Sequence, residues 1–536
     1  MTCNCTRAGT GVLLVALAAA MPAAASAQQP MNDRSEGAPC GAQLQGFVLS
    51  GHDLHITSSV RVADVPTGTL QPNAVMPPVE VPIPGYCRAR GVIDPRKGID
   101  GVDFGLRFEL ALPDDWNGRF LFQGGGGFNG ALDPALGAMA AGKTPAIARG
   151  FAVVSTDSGH ASGFVFDQAF MKDQRAALDF ALHSVPTVTL AAKALIAAYY
   201  GKPAHHSYVT GCSTGGREGM LASQRYPELF DGVVAGAPAM RPLFARLGVR
   251  YGEVAFNQAA QRDAEGRPIV EKIFSTGDRE LIARGLLEQC DALDGLADGV
   301  IHNMRACRFD PSKLQCGAGR TSGCLSAAQA KAMKDAFAGP RDRSGELVYP
   351  GFPYDTGITE TGLFVPGFLP TGQPSMFGPP NRDLAFDIDQ AAWAVRRDAV
   401  EMLTNTDLWT NLSTFLGRGG KIIFYHGVSD PWFSAWDTLD YWERAARDNA
   451  ARWPTSSRLY MVPGMGHCGG GSNAFQRFDL LDAIVHWVEK DEAPEAVVSE
   501  RLMPSPARRP MCPWPSFPRY GNGDVTRPES FSCARE

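Results

Sequence analysis

Short apolar runs alternate with longer amphipathic or alanine-rich stretches along much of the chain. The short runs are bounded by turn residues, which is typical of buried β-strands, and they lie at residues 119–123, 151–155, 206–210, 232–237, 421–425 and 458–462. The longer stretches predict helices at residues 187–200, 215–226 and 478–490. Strands that alternate with helices indicate an α/β fold.

This alternation stops after about Ala239 and resumes at Lys421. Residues 240–395 are richer in glycine, proline and aromatic residues and contain four cysteines. A chain of 536 residues is too long for one simple core. We therefore expect a core formed by residues 28–239 and 396–536, with a domain inserted at 240–395.

The N-terminus has the features of a secretory signal peptide. Arg7 precedes an apolar run at residues 11–25, and an Ala-Ser-Ala cleavage site follows at residues 25–27. The run is shorter than the roughly 20 apolar residues that span a bilayer, and no later stretch is expected to span one either. We predict that residues 1–27 are removed and that the mature protein, without a membrane anchor, is periplasmic or extracellular.

Net charge and cysteine content limit the binding partners and covalent links that we expect. A formal net charge of −6 gives no electrostatic reason to expect nucleic acid as a partner. Cys3 and Cys5 lie in the signal segment, so 10 of the 12 cysteines remain in the mature chain. An even number of cysteines in an exported chain predicts disulfides. The sequence contains no C-x-x-C or H-x-x-x-H pair, so a zinc site is not favoured. Local spacing suggests the pairs Cys40–Cys87, Cys290–Cys307, Cys316–Cys324 and Cys512–Cys533, which leaves Cys212 and Cys468, although the sequence alone does not fix the connectivity.

Ser213 is the candidate nucleophile. It is the central residue of a G-x-S-x-G motif at residues 211–215, between a predicted strand and a predicted helix, which is the pattern of a nucleophile elbow. A serine hydroxyl needs a general base and an orienting acid, and His467 and Asp430 each follow a later predicted strand. The order Ser, Asp, His is that of α/β-hydrolases.

The acid of this triad has two rival candidates. Asp437 and Asp440 are rival acids, but only Asp430 directly follows the end of a predicted strand. Cys212 and Cys468 are the immediate neighbours of Ser213 and His467, so a bond between them would tie the nucleophile to its base. In hydrolases of this class a long segment between nucleophile and acid carries a lid, and we assign residues 240–395 to one.

Two backbone N–H groups must stabilise the oxyanion that forms during acyl transfer. The residue after the nucleophile, Thr214, provides one donor. The glycine-rich loop at residues 123–130 follows an early strand and lets backbone approach the substrate closely. We choose Gly127 as the second donor, and the neighbouring glycines of this loop are the alternatives. A phosphate-binding loop is the alternative, but no G-K-[ST] follows.

A second acidic motif lies within the inserted domain, from Cys290 to Ile301. Three carboxylates spaced by three and four residues, with glycines between them, suit a hard cation such as Ca²⁺. The motif is not an EF-hand, because its twelfth position is His302 rather than glutamate. The expected ligands of this structural Ca²⁺ are the side chains of Asp291, Asp294 and Asp298 and the carbonyls of Leu296 and Val300.

Together these residues resemble a known family. Cys212-Ser213, Asp430 and His467-Cys468 are similar to the CS-D-HC signature of the tannase and feruloyl esterase family, and residues 291–301 resemble its lid calcium loop. The resemblance covers the chain from about Cys40 to Cys533. It implies an α/β-hydrolase core with a large lid, five disulfides, bound calcium, and hydrolysis of esters of aromatic acids.

The lid sequence bears on the substrate. Residues 344–381 contain no Lys or Arg, which suits a neutral phenolic acyl group such as feruloyl or galloyl stacked on aromatic rings. A terephthalate half-ester, the substrate of some family members, carries a carboxylate that favours an arginine partner, and Arg382 keeps that alternative open. The aromatic residues can also simply pack the lid's own core; they are Tyr349, Phe352, Tyr354, Phe364, Phe368 and Phe377.

Overall fold

The computed structural model describes residues 39–73, 76–362, 366–374 and 379–535. The predicted signal peptide, Phe364 and Phe377 lie outside these residues. Nine strands form the main sheet, in the spatial order β1-β2-β3-β5-β4-β6-β7-β8-β9. In chain order they are β1 (Leu54–Val62), β2 (Tyr86–Lys97), β3 (Asp103–Pro113), β4 (Arg119–Gln123), β5 (Ala152–Thr156), β6 (His206–Cys212), β7 (Gly232–Gly236), β8 (Lys421–Gly427) and β9 (Ser457–Val462).

The sheet has an antiparallel part and a parallel part. Strands β1, β2, β3 and β5 pair antiparallel, whereas β5, β4, β6, β7, β8 and β9 run parallel to their neighbours. The six predicted strands coincide with β4 to β9 within one or two residues at each end. The α/β prediction is confirmed, and the carboxyl ends of the parallel strands meet along one edge, where such folds form their sites.

The remaining elements surround this sheet. Two small sheets near the C-terminus contain β10 (Arg477–Phe478), β11 (Val497–Arg501) and β12 (Ala507–Met511), and β13 (Phe517–Tyr520) and β14 (Phe531–Ala534). The helices are α1 (Gln174–Leu178), α2 (Ser184–Tyr200), α3 (Thr214–Arg225), α4 (Pro242–Ala259), α5 (Thr276–Cys290), α6 (Ala327–Ala338), α7 (Ile388–Val395), α8 (Ala399–Thr404), α9 (Ser413–Gly417), α10 (Ala435–Asp448), α11 (Trp453–Ser456) and α12 (Leu480–Lys490).

Side-chain alternation divides the core between the two faces of the sheet. Along β4, Phe120 and Phe122 join a cluster that includes residues of α2, α3 and α10, whereas Leu121 joins the cluster that contains α12. Successive strand residues point to opposite faces, and both faces are covered. This is why the parallel strands are apolar throughout rather than alternating.

One helical segment overturns an expectation from the sequence. Residues Gln174–Tyr200 are long and apolar enough to span a membrane, although no such stretch was expected after the signal peptide. More than half of the most apolar window, 56%, is buried inside the protein. Val185, Val188 and Leu195 pack in the core with the sheet. The apolar composition of this segment therefore matches its position as a core helix.

Residues 240–395 contain α4 to α7 and a hydrophobic cluster of their own. Phe256, Met333 and Tyr349 are among its buried members. Helices α5 and α6 each begin with a serine capping box, at Ser275 and Ser326, which satisfies backbone N–H groups at the helix N-terminus. The lid boundaries at 240 and 395 remain a prediction.

Candidate active site

Ser213 lies on the turn between β6 and α3. Its φ of 63° and ψ of −122° are unusual for a non-glycine residue, and this turn leaves Ser213 partly exposed while both neighbours are buried. A Cβ on Gly211 would lie 2.5 Å from the Gly215 carbonyl oxygen, and one on Gly215 would lie 2.7 Å from the Gly125 oxygen. Both glycines of the motif are therefore required by close backbone contact.

The structure brings His467 and Asp430 together. His467 follows β9, Asp430 follows β8, and the His467 Nδ1 lies 2.6 Å from Asp430 Oδ2. The rival acids are occupied elsewhere: Asp437 pairs with Arg241, and Asp440 Oδ2 accepts from Arg444 Nε at 2.7 Å. Of the three aspartates considered from the sequence, Asp430 is the one that can orient the imidazole.

Asp430 is a strongly supported carboxylate. Burial alone disfavours its charge, but the charge of His467 and hydrogen bonds from His426 and His467 outweigh this, so the pKa of Asp430 lies well below its ordinary value. Its Oδ1 accepts from the backbone N–H groups of Trp432 and Phe433 at 2.9 and 3.0 Å. Asp430 therefore remains ionised, as is required to stabilise an imidazolium.

A disulfide joins the loops of the nucleophile and the base. Cys212 and Cys468 are bonded across 256 residues of sequence, and their Cα atoms are 5.9 Å apart. Because each cysteine is the chain neighbour of a candidate catalytic residue, this bond fixes the separation of the two backbones at the site. The other pairs are those suggested by local spacing: Cys40–Cys87, Cys290–Cys307, Cys316–Cys324 and Cys512–Cys533.

The two residues predicted to supply the oxyanion donors are in contact. The Thr214 hydroxyl donates to the Gly127 carbonyl, which places the glycine loop against the first turn of α3. Gly127 has a positive φ of 57°, and a Cβ there would lie 2.5 Å from the Val165 carbonyl oxygen. The Thr214 N–H lies at the N-terminus of α3, where it has no intrahelical acceptor.

Glu218 supports this loop and was missed by the sequence analysis. It is fully buried on α3, and its carboxylate accepts from the Gly125 N–H at 2.9 Å and from Asn129 Nδ2 at 2.8 Å. Burial raises the pKa of Glu218. The sequence could have indicated Glu218 only as an acidic residue on a helix predicted to pack against the sheet. Its partners could not be predicted, because they lie in a loop about 90 residues earlier in the chain.

The aromatic rings that contact His467 come from the loop after β8 (residues 428–434, the acid loop) rather than from residues 240–395. The Trp432 and Phe433 ring centroids lie 4.7 and 5.3 Å from that of His467. Neither residue was predicted as part of the site. An aromatic surface beside the base can accommodate an aromatic acyl or alcohol group.

The aromatic residues of the inserted segment (residues 240–395) and Arg382 have other partners. Tyr349 and Phe352 are buried in the lid cluster, and Phe352 stacks on Phe368 with a centroid distance of 4.2 Å. The Arg382 guanidinium donates to Glu271 Oε1 at 2.5 Å and to the Pro268 carbonyl at 2.6 Å. In this arrangement Arg382 is paired within the inserted segment.

The acidic loop that follows α5 contains buried carboxylates. Asp291 and Asp294 are 7% and 2% exposed, and they accept from backbone N–H groups within the loop. Asp298 Oδ2 accepts from Arg509 Nη2 at 2.5 Å, whereas Oδ1 is buried with no hydrogen-bond partner. An unpartnered carboxylate oxygen among clustered oxygen donors fits a hard cation.

A different group of ligand atoms is closer together. Among the described residues, His205, His206 and Glu489 have ligand atoms within 4.8 Å of one another. The Glu489 carboxylate already accepts from Arg119 Nε and Nη2, both at 2.6 Å, and from the Tyr208 hydroxyl. Because both Glu489 oxygens already accept from Arg119, whereas Asp298 keeps one unpartnered oxygen, we assign no metal to this group.

Comparisons with known proteins found a matching family model and related chains. The model of the family described as tannase and feruloyl esterase matches residues 87–373 and 379–534. The chain is 38% identical over 520 residues to the mono(2-hydroxyethyl) terephthalate hydrolase of Piscinibacter sakaiensis, covering 84% of this chain and 85% of that protein. It is 30% identical over 463 residues to a probable feruloyl esterase of Arthroderma benhamiae, covering 80% and 82%.

Solved structures share the fold. Feruloyl esterase B from Aspergillus oryzae superposes with a TM-score of 0.71 at 24% identity, covering 92% of this chain and 99% of that chain. The tannin acyl hydrolase from Aspergillus niger superposes with a TM-score of 0.70 at 22% identity, covering 93% and 95%. At these identities the likeness concerns the fold alone.

Proposed function

This chain belongs to the tannase and feruloyl esterase family and is a carboxylic ester hydrolase, and on that basis we propose that it cleaves esters of small aromatic acids through a triad of Ser213, His467 and Asp430. The observation that carries the proposal is the 2.6 Å contact between His467 Nδ1 and Asp430 Oδ2, on a loop bonded through Cys468 to the neighbour of Ser213. The loops after β6, β8 and β9 supply one residue each.

The proposed reaction has two halves. His467 takes the proton from the Ser213 hydroxyl as its oxygen attacks the ester carbonyl, and the N–H groups of Gly127 and Thr214 stabilise the oxyanion. The C–O bond to the alcohol breaks, and His467 returns the proton to the departing alcohol. Water, deprotonated by His467, then attacks the acyl-serine carbonyl. The bond from the acyl carbon to the Ser213 oxygen breaks, His467 returns the proton to that oxygen, and the acid is released, while Asp430 stabilises the imidazolium at each step.

We propose a neutral phenolic acyl group, such as feruloyl or galloyl, as the preferred substrate. Trp432 and Phe433 provide ring surfaces beside His467. Arg382, the cation that follows the Lys- and Arg-free segment, is paired with Glu271. The second candidate is a terephthalate half-ester, and the observation in its favour is the 38% identity to the mono(2-hydroxyethyl) terephthalate hydrolase.

Initial rates on methyl ferulate, methyl gallate, chlorogenate and mono(2-hydroxyethyl) terephthalate discriminate between these candidates. We expect a kcat/KM for the best phenolic ester that is higher by a factor of about 10–100, because a substrate carboxylate without a charged partner loses roughly 1.5–3 kcal/mol of binding. Arg382→Ala is the matched control, and we expect it to leave the ranking unchanged. Preference for the half-ester, lost in Arg382→Ala, would instead support the second candidate.

We also propose that a structural Ca²⁺ binds in the lid loop. The side chains of Asp291, Asp294 and Asp298 and the carbonyls of Leu296 and Val300 would hold it. The cation would neutralise buried carboxylates, including the unpartnered Oδ1 of Asp298, and would stabilise the loop after α5 that the Cys290–Cys307 disulfide closes.

Removal of calcium by EGTA is therefore expected to destabilise the protein. A ligand that binds only the folded state adds about 2.7 kcal/mol at a concentration of 100 Kd. Thermal unfolding with EGTA and after calcium is restored measures this difference. Asp294→Ala should abolish the response, whereas Asp310→Ala, which removes another lid aspartate, should retain it. An identical unfolding temperature of the wild type with and without calcium would contradict the site.

Export is the remaining part of the proposal. Five disulfides among the described residues fit an oxidising compartment. A signal peptide at residues 1–27 would deliver the chain to the periplasm or the medium. N-terminal sequencing of the mature protein, with an expected start near Gln28, tests this assignment.

A further inference from the structure

Asp355 connects the inserted segment to the loops of both the acid and the base. Its side chain is 1% exposed, and one carboxylate oxygen, Oδ2, accepts two hydrogen bonds. The Ser429 hydroxyl donates to it at 2.7 Å and the Gly464 N–H at 2.6 Å. Ser429 directly precedes Asp430, and Gly464 is three residues before His467.

The two loops also bind each other at this junction. The Ser429 N–H donates to the Met465 carbonyl at 2.9 Å, and the Val428 N–H donates to the Val462 carbonyl at 3.0 Å. Asp355 Oδ2 therefore attaches the inserted segment to two loops that already hydrogen-bond to each other. A displacement at this oxygen acts on Asp430 and His467 together.

Gly357 shows how closely the inserted segment packs here. A Cβ at Gly357 would lie 2.6 Å from the Ser429 Cβ and 2.7 Å from the Gly464 carbonyl oxygen. A second attachment lies three residues further along, where Glu360 Oε1 accepts from the Ser472 N–H at 3.0 Å. Residues 355–360 thus contact the acid loop at Ser429 and the base loop, residues 463–476, at Gly464 and Ser472.

Burial of the Asp355 carboxylate in this position has a desolvation cost. None of the salt bridges among the described residues involves it, and its Oδ1 is buried without a hydrogen-bond partner. Burial raises the pKa of Asp355 despite its hydrogen bonds to Gly464 and Ser429. A buried carboxylate with only neutral donors contributes little net stability, so its effect lies in the geometry that it imposes.

We propose that Asp355 is a positioning residue, which holds the acid and base loops at the separation that the Asp430–His467 hydrogen bond requires and thereby couples the inserted segment to catalysis. The proposal rests on the triad assigned under the proposed function. Asp355 does not touch the reacting atoms. It acts through Ser429 and Gly464.

The test compares kcat and KM for Asp355→Ala, Asp355→Asn and Ser429→Ala on methyl ferulate, or on the best ester of the panel. A misplacement of about 1 Å at a catalytic site costs about 100-fold, so we expect Asp355→Ala to lower kcat by about 10–100-fold with KM little changed. In Asp355→Asn the amide oxygen can accept both hydrogen bonds, and we expect kcat close to wild type. Ser429→Ala removes one bond and should give an intermediate kcat.

Glu253→Ala is the matched control for lost stability. Glu253 is a partly buried carboxylate on α4 that accepts from Asn381 Nδ2 at 3.0 Å and lies in the same inserted segment. We expect a lower unfolding temperature with unchanged kcat. All rates are measured well below the unfolding temperature of each variant, so that a loss of folded protein is not read as a loss of catalysis.

The proposal is overturned if Asp355→Ala keeps the wild-type kcat, or if Asp355→Asn loses as much as Asp355→Ala. If Asp355→Ala does not fold, wild-type kcat in Ser429→Ala overturns it. Ser213→Ala separates this result from the proposed function: a variant that remains fully active refutes the triad, whereas an inactive Ser213→Ala beside a fully active Asp355→Ala refutes the positioning role alone.

Discussion

Replacing Ser213 by alanine is expected to lower kcat by about 10⁵–10⁶-fold, because removal of the nucleophile of a serine triad leaves only substrate binding and oxyanion stabilisation. The fold should be unaffected, since Ser213 is partly exposed and its hydroxyl is small. Steady-state hydrolysis of the best ester of the panel gives the magnitude. Labelling with a fluorophosphonate, which reacts with an activated serine, should be lost in parallel.

Ser223→Ala is the matched control for this variant. Ser223 lies on α3, the helix that follows Ser213, and its buried hydroxyl donates to the Met220 carbonyl at 2.9 Å. Its removal deletes the same atom from a neighbouring position without touching the site, so we expect full activity and labelling. A Ser213→Ala variant that hydrolyses phenolic esters at the wild-type rate would show that another group is the nucleophile.

Loss of the Cys212–Cys468 disulfide is expected to abolish most activity while the protein remains folded. A bridge across a loop of 256 residues contributes about 5.5 kcal/mol by the chain-entropy model, but its larger effect is local. Without it the His467 loop loses its covalent link to the nucleophile turn. We expect the double variant Cys212→Ala/Cys468→Ala to lose at least about 100-fold in kcat, as a misplacement near 1 Å would cause.

The double variant Cys316→Ala/Cys324→Ala provides the control. That disulfide closes a loop of 8 residues in the inserted segment, so its loss should leave kcat unchanged. Thermal unfolding of both variants, and activity during stepwise reduction of the wild type, complete the measurement. Coincident loss of activity and of folded structure during reduction would remove the support for a role of the bridge in catalytic geometry.

Much of the core and of the site was predictable because it depends on local pattern. The apolar runs at 119–123 and 206–210 predict strands, and β4 and β6 lie there. Candidate catalytic residues at strand ends follow from the same pattern, since the carboxyl ends of parallel strands share one edge. The antiparallel strands β2 and β3 were not predicted, because charged residues such as Arg88, Arg90 and Glu109 interrupt their apolar runs.

Tertiary packing, not composition, determines which aromatic residues lie beside His467. Their composition favours an aromatic acyl group, but Tyr349 and Phe352 are buried in the lid's own cluster. The rings beside His467 instead belong to Trp432 and Phe433. Composition gives the kinds of side chain that a segment offers, whereas the direction in which each one points depends on the backbone around it.

The sequence by itself determined the α/β architecture, and it predicted the order of the candidate nucleophile, acid and base and the choice of Asp430 over its neighbours. Only the tertiary structure revealed the groups that hold these residues in place. Glu218 binds Gly125 across 93 residues of sequence, and Asp355 binds Gly464 across 109. Strand and elbow patterns are local, because they follow from backbone geometry and side-chain alternation. The partner of a buried carboxylate depends on which distant segments the whole core brings together.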